Sequence, residues 1–117
     1  MNLENYQSYI FPTVLIAFFA FRFLSNKALK KKIPQLLSNG AVIVDVRSKS
    51  EFSGGHNLAS LNIPLGELDK ACHILDKEKM ILLCCASGAR SAMAVGILKK
   101  HGFKNVMNAG PWTNTIA

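Results

Sequence analysis

The sequence predicts a small α/β domain, in which helices flank a parallel sheet, preceded by one N-terminal transmembrane helix. Three observations lead to this prediction. A chain of 117 residues has room for one domain. Short β-branched or apolar runs alternate with helix-like segments over residues 34–117, which is typical of a parallel sheet. Residues 9–24 are almost wholly apolar and are interrupted only by Pro12, Thr13 and Arg22.

The apolar segment is long enough to cross a membrane if its ends lie at the interface. A spanning helix needs about 20 residues, with a lower limit of about 17. Residues 1–8 form a polar N-terminus, but Tyr6 and Tyr9 can anchor the helix at one face. Arg22 can extend to the headgroups of the other face. Pro12 lies in the first turns, where a helix tolerates proline best.

Three other interpretations of residues 9–24 compete with the spanning helix. A cleaved signal peptide begins with basic residues and ends at small ones, and this segment does neither. An interfacial helix needs a polar face, which the run lacks. A buried core helix is not required by the α/β part. The lipid bilayer is therefore the predicted partner of residues 9–24, while any protein partner in the membrane stays unidentified.

The charges around this segment are asymmetric. Residues 1–39 contribute +4 to the formal net charge of +7, and no Lys or Arg precedes the apolar run. The positive-inside rule then places the N-terminus outside and the α/β domain in the cytoplasm, in a single-pass arrangement. Residues 25–33 are predicted to be a basic juxtamembrane linker or a helical extension of the anchor. Nucleic-acid binding is not predicted, because only three aromatic residues follow residue 24.

The α/β domain is predicted to cover residues 34–117. The residue before a proline avoids helix, so Ile33-Pro34 is a predicted boundary and residues 35–38 a separate short helix. The β-branched run 41–46 predicts a strand covered on both faces. The later predicted elements are helix 49–53, edge strand 61–64, helix 66–75, central strand 80–84, helix 91–101 and strand 106–107. Leu68, Ala71, Cys72 and Leu75 should form one apolar stripe, and Ala92, Val95 and Leu98, with Met93 and Ile97 nearby, another.

A loop joins the central strand to the following helix, and it has the composition of an anion-binding site. It reads Cys85-Ala86-Ser87-Gly88-Ala89-Arg90-Ser91. Small residues allow the backbone N–H groups to turn inward, and the helix N-terminus adds partial positive charge. Arg90 adds a full charge or braces the loop. All three features favour a thiolate, which makes Cys85 a predicted nucleophile, although a lone Cys is more often a core residue.

The other cysteines and the histidines have no metal-ligand spacing. The chain contains three cysteines, an odd number without a Cys-x-x-Cys pair, so neither a disulfide framework nor a zinc site is predicted. Adjacent side chains of a strand point to opposite faces, so Cys84 should lie in the core while Cys85 emerges at the loop. Cys72 is predicted to be core as well. No metal and no cofactor is predicted.

The ordered set of motifs resembles the rhodanese family of sulfurtransferases. The active loop of that family has the pattern Cys-x-x-x-x-Arg-Ser. The upstream motifs are Asp45-Val46-Arg47, Glu51-Phe52, Gly55-His56 and Asn62-Ile63-Pro64-Leu65. The downstream motifs are Gly102-Phe103-Lys104-Asn105-Val106 and Gly110-Pro111-Trp112. The resemblance covers residues 34–117 and implies a rhodanese-like fold. Asp45, Arg47, Glu51 and His56 are predicted to be structural residues near the site, with Arg47 pairing, for example, with Glu51.

The resemblance implies a thiosulfate sulfurtransferase, which the predicted transmembrane helix would anchor to the membrane. Cys85 would take a sulfane sulfur from a small donor such as thiosulfate and pass it to a thiol or cyanide. Cys85 and Arg90 are the predicted catalytic residues, and the loop residues would bind substrate: Ala86, Ser87, Gly88, Ala89 and Ser91. Two alternatives remain. One is a non-catalytic binding or sulfur-delivery module at the membrane. The other is a phosphatase or arsenate reductase, which the four-residue spacing from Cys85 to Arg90 disfavours.

Overall fold

A four-stranded parallel sheet carries the two adjacent cysteines at its centre in the computed structural model, which describes residues 3–116. The helices are α1 (Leu3–Ser38), α2 (Lys49–Ser53), α3 (Leu65–Ala71) and α4 (Ala89–Lys100). The strands are β1 (Val42–Asp45), β2 (Leu61–Asn62), β3 (Ile81–Cys85) and β4 (Val106–Pro111). Single 3₁₀ turns follow α3 at Cys72–Ile74 and β4 at Trp112–Thr115.

The strand order is β2-β1-β3-β4, and all three pairings are parallel. All five residues of β3 are buried, as a central strand covered on both faces requires. The register between β3 and β4 shifts at Leu83/Cys84, so Cys85 pairs with Pro111. The predicted α/β fold with a small parallel sheet flanked by helices is confirmed, including the edge position of β2.

Each face of the sheet has its own core. One contains Val44, Leu83 and Cys85, packed against α3 and α4 through Leu68 and Leu98. The other contains the alternate strand residues Ile43, Leu82 and Cys84, packed against Ile33 near the end of α1. This alternation follows from the two-residue period of a strand. The prediction that Cys84 and Cys85 face opposite sides of the sheet is confirmed, as is the core position of Cys72.

The predicted helix break at Ile33-Pro34 is wrong. α1 continues through Pro34 to Ser38, so residues 35–38 are not a separate helix and residues 25–33 are helical. A proline inside a helix costs about 3 kcal/mol, because it removes one backbone hydrogen bond. Here Ile33 is buried against the sheet, and Leu36 and Leu37 are partly buried beside it. Burying this apolar turn favours the continuous helix over the local preference of the residue before proline.

Other elements also differ from their predicted bounds, and the three strands 41–46, 61–64 and 80–84 do so by one or two residues at an end. α4 begins at Ala89 and buries Ser91, Ala94 and Leu98, whereas Ala92 and Met93 are exposed. The buried face is therefore rotated from the predicted one, because Ser91 bonds inward to the neighbouring strand. Helix 66–75 is instead α3 followed by a 3₁₀ turn. β4 has six residues, since its pairing continues past the register shift.

The N-terminal half of α1 stands away from the sheet. One helix in the described part of the chain, within Asn5–Ser38, is long and apolar enough to cross a membrane, and none of its apolar window is buried. Its aromatic side chains remain open, with Phe11 74% and Phe21 70% exposed. The structure thus presents an apolar helix without a protein cover on most of its length.

Candidate active site

Cys85 ends the central strand, and residues 86–88 with the first turn of α4 fold back over it. The Cys85 side chain is fully buried. The prediction that this side chain emerges at the loop is therefore wrong. β3 continues through Cys85, and the start of α4 covers the thiol. The N–H of Gly88 donates to Sγ at 2.9 Å, and the Ser91 hydroxyl lies 3.4 Å from it. The sulfur therefore lies at the bottom of a cup of small residues.

Gly88 is the residue that allows this cup to close. Its φ of +99° lies in the left-handed region, which side chains disfavour. A Cβ placed on Gly88 would lie 3.3 Å from the Cα of Gly110, which also has a positive φ of +78°. The two glycines let the active loop and the end of β4 approach closely. Gly88 then directs its N–H at the sulfur.

Hydrogen bonds to Cys85 favour its thiolate. Burial raises the pKa of the Cys85 thiol. Hydrogen bonds from the Ser91 side chain and from the backbone of Ser91, Gly88 and Ser87 outweigh this effect, and the net pKa lies below the ordinary value. Contacts that stabilise the charged form of a group lower its pKa in this way. The geometry thus favours the thiolate form of Cys85 in a site that shields the sulfur from bulk water.

Asn108 is a site residue that the sequence reasoning missed. Its Oδ1 accepts from the Ser91 hydroxyl at 2.7 Å and from the Gly110 N–H at 2.9 Å. Its Nδ2 donates to the Gly88 carbonyl at 3.0 Å. Asn108 therefore holds both groups that contact the Cys85 sulfur. The only available signal was a polar residue within an otherwise apolar segment near the C-terminus, which is too common to identify a site.

Arg90 braces the loop against α2. Its guanidinium donates to both carboxylate oxygens of Glu51, at 2.7 and 2.9 Å. Glu51 also completes a capping box with Ser48 at the start of α2. The hydrogen bonds from Arg90, with further ones from Ser48, lower the pKa of Glu51 to about 2. The charge of Arg90 is thus neutralised within the protein, although its side chain stays 37% exposed.

The predicted pairing of Arg47 with Glu51 is wrong, because the partner of Arg47 is Asp45. Both residues are buried, and Nη2 of Arg47 lies 2.8 Å from Oδ2 of Asp45. The guanidinium also donates to the Gly55 carbonyl at 2.7 Å and lies 4.7 Å from the Trp112 ring. This ion pair connects the end of β1 to the turn after α2 and to the C-terminal turn.

The other predicted site residues lie around these ion pairs and hydrogen bonds. His56 stacks on the Phe52 ring with 3.7 Å between ring centroids, and its Nδ1 lies 2.6 Å from the Phe52 carbonyl. Ala86, Ser87 and Ala89 are exposed on the loop. The Ser87 carbonyl accepts a hydrogen bond from Arg22 of α1 at 2.9 Å, a contact that the sequence did not indicate.

Comparison with known protein families identifies the domain that contains these residues. The family described as Rhodanese-like domain matches residues 27–109, which is more than half of the chain. The chain belongs to the rhodanese-like family. The match takes in the Asp45–Arg47 pair, the Cys85 loop and Asn108.

Three similar proteins illustrate the range of this rhodanese-like family. A putative sulfur carrier protein of Bacillus subtilis is 37% identical over 94 residues, which are 77% of this chain and 50% of that protein. A putative mitochondrial thiosulfate sulfurtransferase of Schizosaccharomyces pombe is 34% identical over 85 residues, 61% of this chain and 60% of that protein. A rhodanese-related protein of Thermoplasma volcanium has a solved structure with a TM-score of 0.59 and 34% identity, covering 67% of this chain and 78% of that one. The chain spans about half the length of the curated relatives it matches.

Within this rhodanese-like domain, Cys84 is expected to be a packing residue. Burial raises the pKa of the Cys84 thiol to about 12, and the nearby Asp45 carboxylate adds to the rise. Cys84→Ala should cost about 1 kcal/mol of unfolding free energy, as is typical of a small lost core group. Alkylation of each thiol against pH, followed by mass spectrometry, should show Cys85 reacting first. A Cys84 that reacts below neutral pH would contradict this assignment.

The Arg90–Glu51 contact should give the rhodanese-like domain an acid-sensitive component of stability. The pKa of Glu51 is lowered from 4.5 to about 2, so its contribution is complete above pH 4.5 and is lost as the pH falls towards 2. Glu51→Gln should flatten the dependence of the unfolding temperature on pH across that window. Thermal unfolding followed by circular dichroism would measure it. Glu78→Gln, at an exposed position, is the control and should leave the wild-type slope. An unchanged slope in Glu51→Gln would contradict the prediction.

Proposed function

We propose that the chain is a membrane-anchored sulfurtransferase that moves a sulfane sulfur from a donor such as thiosulfate to a thiol or cyanide acceptor. Membership of the rhodanese-like family supports the chemistry, and a relative described as a putative thiosulfate sulfurtransferase supports the donor. The observation that carries the proposal is the short contact of the Gly88 N–H with the Cys85 sulfur. A sulfur held in this way reacts as a thiolate.

In the first step, the Cys85 thiolate attacks the outer sulfur of thiosulfate. A new S–S bond forms between Sγ and that sulfur, and the original S–S bond breaks with its electron pair leaving on sulfite. The backbone N–H groups around Gly88 and Ser91 are positioned to stabilise the negative charge during the transfer. The hydroxyl of Ser91 has one proton, which can point either to Oδ1 of Asn108 at 2.7 Å or to the Cys85 sulfur at 3.4 Å without backbone movement.

In the second step, an acceptor thiolate or cyanide attacks the outer sulfur of the Cys85 persulfide. The bond to Sγ breaks, its electron pair stays on Cys85, and the thiolate is restored for another cycle. Two half-reactions on one nucleophile give ping-pong kinetics. Arg90 and Glu51 act by keeping the loop closed, because each satisfies the charge of the other.

Mass spectrometry of the full chain after thiosulfate treatment tests the proposed reaction. A single added sulfur of about 32 Da is expected on the peptide that contains Cys85, and it should disappear when a thiol or cyanide is added. A chain that takes up no sulfur on Cys85 would contradict the enzyme proposal. A chain that takes up sulfur but releases it only to a protein would favour the sulfur-delivery module, which the sulfur-carrier relative supports.

The proposed membrane anchor is the N-terminal part of α1. α1 meets the length and apolarity of a spanning segment, and its apolar window is uncovered by the rest of the chain. The five basic residues from Arg22 to Lys32 favour a cytoplasmic α/β domain. The free thiols of Cys72, Cys84 and Cys85 fit a reducing compartment.

Labelling of intact cells with an impermeant maleimide tests the anchor and its orientation. Asn2→Cys should be labelled, because the N-terminus is proposed to lie outside. Leu58→Cys, at a side chain that is 94% exposed on the α/β domain, should be labelled only after permeabilisation. The reverse pattern would contradict the orientation. Recovery of the chain in the soluble fraction would contradict the anchor itself.

A further inference from the structure

A shallow cavity of about 520 Å³, wide open to the surroundings, lies between α1 and the active loop. Phe19, Arg22, Phe23 and Asn26 line it from α1, and Ser87 and Pro111 line it from the α/β domain. Ser87 lies two residues after the nucleophile, and Pro111 pairs with Cys85 in the sheet. The cavity thus adjoins the active loop, and its volume is within the range of small-molecule sites.

The lining of this cavity has a polar end and an apolar end. At the loop, Arg22 donates to the Ser87 carbonyl at 2.9 Å, which uses one of the five N–H groups of a guanidinium. Along the helix, Phe19 and Phe23 are one turn apart and therefore lie on one face, with their rings 61% and 68% exposed. A ligand that fits both ends has an anionic group near the loop and an apolar tail directed along α1.

The positions of the lining residues along α1 indicate the side from which such a ligand enters the cavity. Phe19 and Phe23 belong to the apolar run, whereas Lys27 and the later lysines follow it. In the proposed anchored form, the cavity lies where the apolar run meets the headgroups. An amphiphile dissolved in the bilayer would reach the active loop with its tail still among lipids and its head at Arg22.

We propose that this cavity binds the sulfur acceptor, and that the acceptor is an amphiphilic thiol with a carboxylate or similar anion beside the thiol. This inference rests on the proposed function. The acceptor thiolate attacks the outer sulfur of the Cys85 persulfide and forms a new S–S bond. The bond to Sγ breaks, and its electron pair returns to Cys85. Arg22 holds the anion, while Phe19 and Phe23 contact the tail.

A matched pair of acceptors tests the apolar end. The full chain, in one detergent or in nanodiscs, is loaded with sulfur from thiosulfate and offered 2-mercaptopropionate or 2-mercaptooctanoate, which differ by five methylene groups. The longer acceptor should have at least about tenfold higher kcat/KM, because its tail is removed from water. Phe23→Ala should reduce this preference at least threefold. Phe21→Ala, on the opposite side of the helix, should keep the wild-type ratio, which also controls for partition of the tail into detergent or lipid.

The polar end is tested with the carboxylate and the carboxamide of the same eight-carbon thiol. The wild-type chain should prefer the carboxylate, and Arg22→Gln should lose that preference, whereas a purely structural effect on the loop would lower both rates alike. Equal rates for the short and long acceptors, or equal length preferences in Phe23→Ala and Phe21→Ala, would overturn the inference while leaving the sulfur transfer intact. Failure to form any Cys85 persulfide would overturn the proposed function and this inference with it.

Discussion

Cys85→Ser is expected to abolish sulfur uptake from thiosulfate and turnover with cyanide. The serine hydroxyl is not ionised by the contacts that lower the pKa of the Cys85 thiol, so the nucleophile of the proposed reaction is lost. Removing a nucleophile of this kind typically costs a factor of 10³ or more, roughly 10⁶ in a well-studied protease. The rate of thiocyanate formation from thiosulfate and cyanide measures the loss. The fold should remain, since serine is similar in size to cysteine.

Cys72→Ser is the matched control, because it makes the same exchange at a buried thiol outside the loop. This variant should retain the rate of the wild-type chain, with some loss of stability. Circular dichroism would show whether both variants fold. Turnover by a folded Cys85→Ser chain at more than a few per cent of the wild-type rate would contradict the persulfide mechanism.

Arg47→Met is expected to destabilise the fold by about 3–5 kcal/mol, the range for breaking a buried ion pair. Asp45 is fully buried, and its carboxylate oxygens accept bonds from the Arg47 side chain at 2.8 to 3.0 Å. Removing the guanidinium leaves an uncompensated charge inside the protein. It also removes the bond to the Gly55 carbonyl and the contact with Trp112. Denaturant unfolding, followed by the fluorescence of Trp112, the single tryptophan, measures the loss.

A double-mutant cycle measures the coupling free energy between Asp45 and Arg47 separately from their contacts with other residues. Asp45→Asn/Arg47→Met places no unpaired charge in the core, so it should cost clearly less than the sum of the two single variants. Asp69→Asn provides the surface control. Its contact with His101 is 2.6 Å long, but the two side chains are 75% and 39% exposed, so its loss should cost less than about 1 kcal/mol. Additive effects of the two core substitutions would show that the pair is not coupled.

Contacts from several elements surround the loop that follows Cys85. Arg90 and Glu51 connect the loop to α2, while Arg47 and Asp45 connect the end of β1 to the turn after α2. Asn108 connects the loop to β4 through Gly88 and Ser91. The groups that contact the Cys85 sulfur thus have partners of their own, which favours one conformation of the loop.

Much of this arrangement could be predicted from local patterns. The β-branched run 41–46 and the apolar run 80–84 predicted two strands buried on both faces, and the structure places β1 and β3 there. The small residues between Cys85 and Ser91 predicted a loop that turns its amides towards a thiolate. Alternation along β3 predicted that Cys84 and Cys85 face opposite cores. These properties depend on neighbouring residues, and the sequence alone determined them.

Other features were decided only by the tertiary structure, because they join residues far apart in the chain. Arg90 and Glu51 are separated by 39 positions, Asn108 and Gly88 by 20, and Arg22 and Ser87 by 65. Several basic and acidic residues could have paired equally well by charge, and Arg47 was assigned the wrong partner for that reason. The continuation of α1 through Pro34 likewise depends on contacts with residues far away in the chain. Local preference disfavours it, and the burial of Ile33 against a sheet formed by later residues outweighs that preference.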